Sequence, residues 1–389
     1  MRKDRGGISD LIIRSRLGSD QVDHLLALMT REISPSDLTS LLLVVYNQIV
    51  GQRGVTDVFQ QYCHDQTLQP SEAKQGSLML LDQQLFRVFS DDFEAVDLSP
   101  VAPLGINSIL AHTSQKNVLS TARNIEVAAD VTTSLAIEAA RRRKASLVVS
   151  AKSQREIRLC ASQRSIRMQN FDGIPGFTNH FRVFGAVSAG RDRGHEGFET
   201  SNLSKHIGYY LDFLAWAKES GFVADTIIVA ISDIRIAETL LETTGVERAT
   251  VMRTTQDPDF QLFDHCGLEV KSKVRSPNCL PQSLTGRRDL ERSLSYLRQI
   301  EEKAVAELRE KYDHVEFVYD LGRTAGIGYY ESLCFKISAE TQDGRKFPLV
   351  DGGLTDWSKK LLASHKERLF ISGFGTELFC KNYQDIDHV

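Results

Sequence analysis

Apolar residues recur every three or four positions in several stretches of this chain, the spacing that gathers them on one face of a helix. Val22, Leu25, Leu26 and Met29 make the first such face, with Ser19 as its candidate cap. Ser34-Pro35-Ser36-Asp37 opens a second helix, predicted over 35–50. Ser34 accepts from orphan amides there, Pro35 has no amide to lose, and Asp37 meets the positive end of the dipole. Leu78, Leu80, Leu81, Leu85, Val88 and Phe89 predict an amphipathic helix, followed by a strand over 93–98 that stops at Pro100. Residues 132–143 read as helix and Leu147-Val148-Val149 as a short buried strand. Leu290, Leu294, Leu297, Ala304 and Leu308 mark a long helix over 289–312 whose outer face is filled by Glu and Arg. Further strands are expected over 226–231, 314–319, 332–338 and 369–372. They do not alternate one-for-one with helices, so a mixed or antiparallel sheet is expected. The polar segment 66–75, with Pro70 and Ser71, divides an N-terminal helical region (1–75) from a larger one (76–389).

Composition narrows the classes. With 389 residues, 41% hydrophobic and 25% charged, the chain is long enough for two or three domains and a large core. A net charge of −4 argues against a dominant role in binding polyanions such as nucleic acid. Met1 to Gly7 is not followed by the apolar core of a secretory signal, and the longest apolar run, 41–46, falls far short of the ~20 residues that span a bilayer. A soluble, cytoplasmic protein is therefore expected, with its six scattered cysteines reduced and mostly buried.

Common signatures of chemistry are missing. There is no GxxxxGK[ST], GxSxG, HExxH or HxE with a following CxxC, and Gly322, Gly326 and Gly328 do not match dinucleotide spacing. His265-Cys266 lacks a second ligand group, so no metal is expected. Two other features carry more. Arg158, Arg164, Arg167, Arg182, Arg191 and Arg193 surround the turn 171–176. Either a strand arginine such as Arg167 aims its planar fork at a bound phosphate or carboxylate, or the segment is a solvated basic hairpin. Gly326-Ile327-Gly328-Tyr329-Tyr330, Asp351-Gly352-Gly353-Leu354-Thr355-Asp356 and Gly373-Phe374-Gly375 each lie beside a probable strand. Such glycines either let a flat ligand approach the backbone or serve sheet packing and turns.

From about Leu78 onward the chain resembles the catalytic core of class II aminoacyl-tRNA synthetases, in the histidyl-tRNA synthetase branch with its paralogue, the regulatory subunit of ATP phosphoribosyltransferase. Leu78 to Pro100 resembles the first, dimer-forming motif. Residues 126–132 lie where the branch has an arginine-proline-acid-x-threonine signature: Asp130 and Thr132 match, and Ala128 replaces the arginine. Arg158 to Gly185 resembles the second motif, with Arg167 on the arginine that contacts the ATP α-phosphate and the substrate carboxylate. Gly326 to Tyr330 resembles the Gly-Leu-Asp-Tyr-Tyr signature, with Ala325 in place of the preceding arginine, Gly328 in place of the aspartate, and Arg323 as a displaced substitute. Gly352 to Asp356 resembles Gly-Gly-Arg-Tyr-Asp, with Leu354 for arginine, and Gly373 to Leu378 the third motif, with no arginine from Ser372 to Val389.

The resemblance implies an α+β fold: a class II synthetase-like, mostly antiparallel sheet flanked by helices, here with an N-terminal helical extension. It implies a ligand pocket of Asp130, Thr132, Arg182, Tyr329, Tyr330, Gly352 and Gly353, ATP with magnesium as cofactors, and a homodimer through the first motif. Adenylation needs preorganised cations, and one missing donor costs about 3–4 kcal/mol of transition-state stabilisation. The leading expectation is a non-charging paralogue that binds an amino acid or related small ligand and acts through a partner enzyme or its own dimer. The competing one is a ligase forming an acyl-adenylate, with Arg167 and Arg323 as its catalytic cations. The sequence stops just after the third motif, so no anticodon-binding domain and no tRNA charging are expected.

Overall fold

The computed structural model describes residues 8–169, 178–243, 260–280 and 282–384; the turn at 171–176 lies outside them. Its contacts fall into two units, Met1–Gln69 with Ser120–Glu126, and Pro70–Leu119 with Val127–Val389.

The first unit is built of helices α1 (Ile8–Leu17), α2 (Ser19–Ala27), α3 (Pro35–Gly51) and α4 (Val55–His64). Gly18, in left-handed φ, caps α2 in place of the expected Ser19, which becomes its first residue. Ser34 caps α3 as its sequence predicts, its side chain accepting from the Asp37 amide at 3.1 Å. These helices gather almost no core: of residues 10–69 only Val22 is buried. Val44, Val50, Val55, Val58 and Phe59 stand more than half exposed.

The second unit is a nine-stranded sheet with helices on both faces. Its strands are β1 (Glu94–Ala95), β4 (Ile157–Ile166), β5 (His180–Arg191), β6 (Asp225–Asp233), β7 (Lys273–Val274), β8 (Glu316–Asp320), β9 (Leu333–Glu340), β10 (Lys346–Thr355) and β11 (Glu367–Phe374). Two short strands, β2 (Val101–Pro103) and β3 (Ile125–Val127), lie outside it. The order is β1-β4-β5-β11-β10-β9-β6-β8-β7, antiparallel except at β1/β4 and β6/β8.

The helix signals of this unit are borne out, with changed ends. Helix α5 (Gln75–Phe89) buries Leu78, Leu81, Leu85 and Phe89, whereas the strand expected over 93–98 shrinks to the two residues of β1. Helix α7 (Val131–Val149) runs past its predicted end and absorbs Leu147-Val148-Val149, with Val148 and Val149 more than four-fifths exposed. No buried strand exists there, because a running helix gains one hydrogen bond per added residue and outweighs the weak β preference of two valines. The helix expected over 289–312 runs from Glu291 to Lys311 and contains a π-turn, Glu301–Val305.

The two sheet faces are told apart by alternation along β5. A side chain at Gly185 would strike Val131 of α7 at 2.5 Å, and one at Gly190 would strike Phe198 of α8 (Gly197–Glu219) at 2.9 Å. Odd-numbered residues of β5 therefore face α7 and even-numbered ones face α8. Behind the sheet, on the α8 side, the His206 imidazole bridges Ser188 Oγ (3.1 Å) and Ser372 Oγ (2.7 Å) in a fully buried contact. No helix among the described residues is long and apolar enough to cross a membrane.

Candidate functional site

The N-terminus of α7 places the first two site residues. Asp130 is its N-cap, Oδ1 accepting from the Thr132 amide at 2.8 Å and from Thr132 Oγ1 at 2.7 Å. The other carboxylate oxygen takes Arg167 Nη2 at 3.0 Å, and Arg167 Nε donates to the Ala129 carbonyl at 3.0 Å. Arg167 follows β4, pinned by main-chain bonding to Asn179, and its guanidinium lies 5.4 Å from the centre of the Phe181 ring. Phe181 is odd-numbered on β5, so this group belongs to the α7 face.

Across that face, Thr132 Oγ1 meets the Tyr329 hydroxyl at 3.4 Å. Tyr329 packs edge-on against both Tyr330 and Trp357. The turn before the tyrosines needs its glycines: Gly326 has φ +103, and a side chain there would sit 2.6 Å from the Tyr330 ring. The Tyr330 hydroxyl donates to Asp351, which also accepts from Arg323 Nη2 at 2.9 and 2.8 Å. Arg323 Nε is spent on the Ala325 carbonyl, while Nη1 is buried without a partner. Burial and then the neighbouring carboxylates, Asp130 for Tyr329 and Asp351 for Tyr330, hold both phenols well above their ordinary pKa, so both are neutral donors. Burial alone would lower the pKa of Arg323; the carboxylate of Asp351 outweighs it.

The structure thus joins Asp130, Thr132, Arg167, Tyr329, Tyr330 and Arg323 into one line across the α7 face. Arg182 is elsewhere. Even-numbered on β5, it faces away and is tied to Asp82 of α5 at 2.6 Å and to Ser162 Oγ at 3.0 Å. Arg164, paired with it across the strands, binds Glu377 at 2.9 Å on that same far side. Gly352 and Gly353 serve the sheet itself: a Cβ at 352 would meet Phe335 at 2.6 Å and Ile371 O at 2.7 Å, and one at 353 would meet Leu333 O at 2.5 Å. Leu354 also lies on the far face, three residues from Asp351 along an unbroken register, in a pocket with Glu199 and Arg368. An arginine there would point away from the tyrosines.

Asp351 was visible in the sequence only as the start of a glycine tract, and Lys336, its cross-strand neighbour on β9, not at all. The signal for Lys336 was a lone cation in an otherwise apolar strand, Leu333-Cys334-Phe335-Lys336-Ile337. Among the described residues no group of His, Cys, Asp and Glu is arranged to hold a metal ion, and all six cysteines are free.

No protein-family model and no curated protein sequence matches this chain. Solved structures do. An ATP phosphoribosyltransferase regulatory subunit/histidyl-tRNA synthetase from Bacillus halodurans C aligns over 79% of each chain with a TM-score of 0.58 and 13% identity. A histidine–tRNA ligase subunit from Alicyclobacillus acidocaldarius aligns over 80% of this chain and 96% of its own, with a TM-score of 0.59 and 16% identity. Histidyl-tRNA synthetase from Nostoc sp. PCC 7120 aligns over 80% and 73%, with a TM-score of 0.55 and 15% identity. At these identities the likeness is one of fold: the chain has the class II synthetase-like α+β architecture that its sequence motifs led one to expect.

Proposed function

We propose that this chain is a non-charging synthetase-like protein that binds an amino acid or a related small ligand on the α7 face, and that it acts through its own dimer or a partner. The observation that carries the reading is the state of the two arginines in the cluster. Each is bound to a carboxylate of the chain itself, Arg167 to Asp130 and Arg323 to Asp351. A transition state that develops negative charge needs cations aimed at it and otherwise unengaged. Arginines already neutralised by resident acids shape a pocket more readily than they stabilise an adenylate.

The same cluster suits a zwitterionic ligand. Asp130 offers a carboxylate to an ammonium group, Arg167 keeps N–H donors for a carboxylate, and the neutral tyrosine hydroxyls supply directed hydrogen bonds. ATP and magnesium fit these residues poorly. The third-motif segment has Glu377 and no arginine, and Glu377 is already held by Ser71, Arg164 and Lys381. Partner action is supported by the fold shared with a chain described as a regulatory subunit, and by the apolar side chains displayed along α1 to α4.

Calorimetric titration of the twenty amino acids into the full chain tests the reading, with saturable binding expected for one or a few. Asp130→Ala is expected to weaken that binding at least tenfold. ATP–pyrophosphate exchange with magnesium gives the opposing result: amino-acid-stimulated exchange that vanishes in Arg167→Ala would establish a ligase and overturn the proposal.

A further inference from the structure

A second pocket, about 510 Å³ in volume, lies over the strands β9, β6, β8 and β7. Ala230 on its floor pairs with both Lys336 and Val318, so these three side chains form a row across the sheet. Around that floor stand six cations, Lys271, Lys273, Arg275, Arg323, Lys336 and Lys346, against two carboxylates, Glu316 and Asp320.

The cations have few partners. Among the described residues, the side chains of Lys271, Lys273, Arg275, Lys336 and Lys346 make no hydrogen bond and no ion pair, whereas Arg167, Arg182, Arg164 and Arg368 are all paired. Arg323, only 7% exposed, also lines this pocket, and its Nη1 is buried with no hydrogen-bond partner in the protein. A buried donor left without an acceptor is destabilising. Lys336, at the β9 end of the row, is half-buried; burial and then Arg323 hold its pKa below the ordinary lysine value. An incoming anion would supply the charge and acceptors that these groups lack.

The geometry points to a binding site here for a small, multiply charged anion, a phosphate ester or a polycarboxylate. The volume is that of a metabolite pocket. Lysine ammoniums offer point charges and the fork of Arg275 offers paired donors, for phosphate or carboxylate alike, while Arg323, bound to Asp351, adds only its positive charge. The site goes beyond the amino-acid reading: it shares only Arg323 with the cluster around Asp130, and its other cations lie on β7 and immediately before and after it, on β9 and on β10.

The test uses the full chain with inorganic phosphate and citrate as probes, followed by calorimetry and thermal unfolding at constant ionic strength. Saturable binding and a rise in Tm of several degrees are expected from at least one probe. Lys336→Gln should weaken binding tenfold or more, and Lys346→Gln, at an exposed position where folding is not at risk, about threefold or more. Lys144→Gln, an exposed lysine outside the pocket, should change nothing. The proposal is overturned if sodium chloride at equal ionic strength reproduces the stabilisation, or if both pocket variants bind as the parent does. It is overturned as well if Arg167→Ala, but neither lysine variant, abolishes binding, since the anion would then occupy the other cluster. Asp130→Ala should leave citrate and phosphate affinity intact, so a failure of the amino-acid reading is distinguishable from a failure of this one.

Discussion

Replacing Arg143 by methionine probes what holds α7, and with it Asp130 and Thr132, against the sheet. The Arg143 guanidinium is wholly buried, with Nε 2.7 Å and Nη2 3.3 Å from the carboxylate of Glu367 on β11, which is also wholly buried. Its remaining donors reach the carbonyls of Arg155 at 2.7 Å and Ser153 at 2.5 Å. Methionine fills much of the volume but strands Glu367, whose one other ion-pair partner among the described residues, Arg191 Nη1, lies at 3.7 Å. Breaking a buried pair from one side costs about 3–5 kcal/mol, and two carbonyls lose their donors as well. Arg191 moving closer offsets part of this, so a loss of about 4 kcal/mol is expected. Removing the acid too, in Arg143→Met/Glu367→Leu, abolishes the stranded charge and should restore about 2 kcal/mol or more relative to the sum of the single changes. Both tryptophans, Trp216 and Trp357, belong to the larger unit, so urea unfolding followed by tryptophan fluorescence reports that unit directly. The midpoint should fall with the slope unchanged. A loss under about 1 kcal/mol for Arg143→Met, or a double variant whose loss equals the sum, would refute the idea that this pair carries a coupled buried charge.

Gly353→Ala should cost about 1–3 kcal/mol or more, because the new methyl meets main-chain atoms of β9 rather than a side chain that can move. Gly76→Ala, which meets nothing within 4 Å near the start of α5 in the same unit, is the matched control and should be neutral or stabilising by urea titration. His206, fully buried, is pushed down to about 3 by burial and then by Arg158 and Lys205. Its folded-state pKa is below the unfolded value near 6.5, so the unfolded chain takes the proton first; the stability is whole above pH 6.5 and declines as pH falls toward 3. The slope should be up to about 1.4 kcal/mol per pH unit between pH 6 and 5; if His206→Gln unfolds with the same slope in that window, the assignment is wrong. Thr132→Val should weaken amino-acid binding less than Asp130→Ala does, since it removes the hydroxyl contacts to Tyr329 and Asp130 but keeps the Asp130 carboxylate and its cap bond to the Thr132 amide.

Periodic segments were legible because burial leaves a regular trace: Leu78, Leu81 and Leu85 of α5, though not the exposed Leu80, and Leu294 and Leu297 of the helix from Glu291 fall on buried faces. The strands expected over 226–231, 314–319, 332–338 and 369–372 fall on β6, β8, β9 and β11, and their failure to alternate one-for-one with helices was enough for the mixed sheet to be expected. What sequence left out was direction. Arg182 and Leu354 sit at motif positions, yet each is an even-numbered residue whose side chain leaves the far face, and one residue of register decides this. Asp351 was legible as a neighbour of glycines and illegible as the acceptor for Arg323, a partner 28 residues away. Val148 and Val149 misled because local preference was allowed to end a helix that cooperative hydrogen bonding continues.

The pairing of Arg167 with Asp130 and of Arg323 with Asp351 has a consequence for how this surface changes over mutational time. Asp130 and Asp351 occupy their arginines as an incoming carboxylate would, so each acid works as a built-in competitor for the chain's own cations. New arginines at 128 or 325 would enter a site where the resident acids remain. An acid-to-amide change, Asp351→Asn above all, would instead release a guanidinium already buried, oriented by the Ala325 carbonyl and stacked on Tyr330. A capacity for binding anions is stored here in masked form, one oxygen-for-nitrogen exchange from expression.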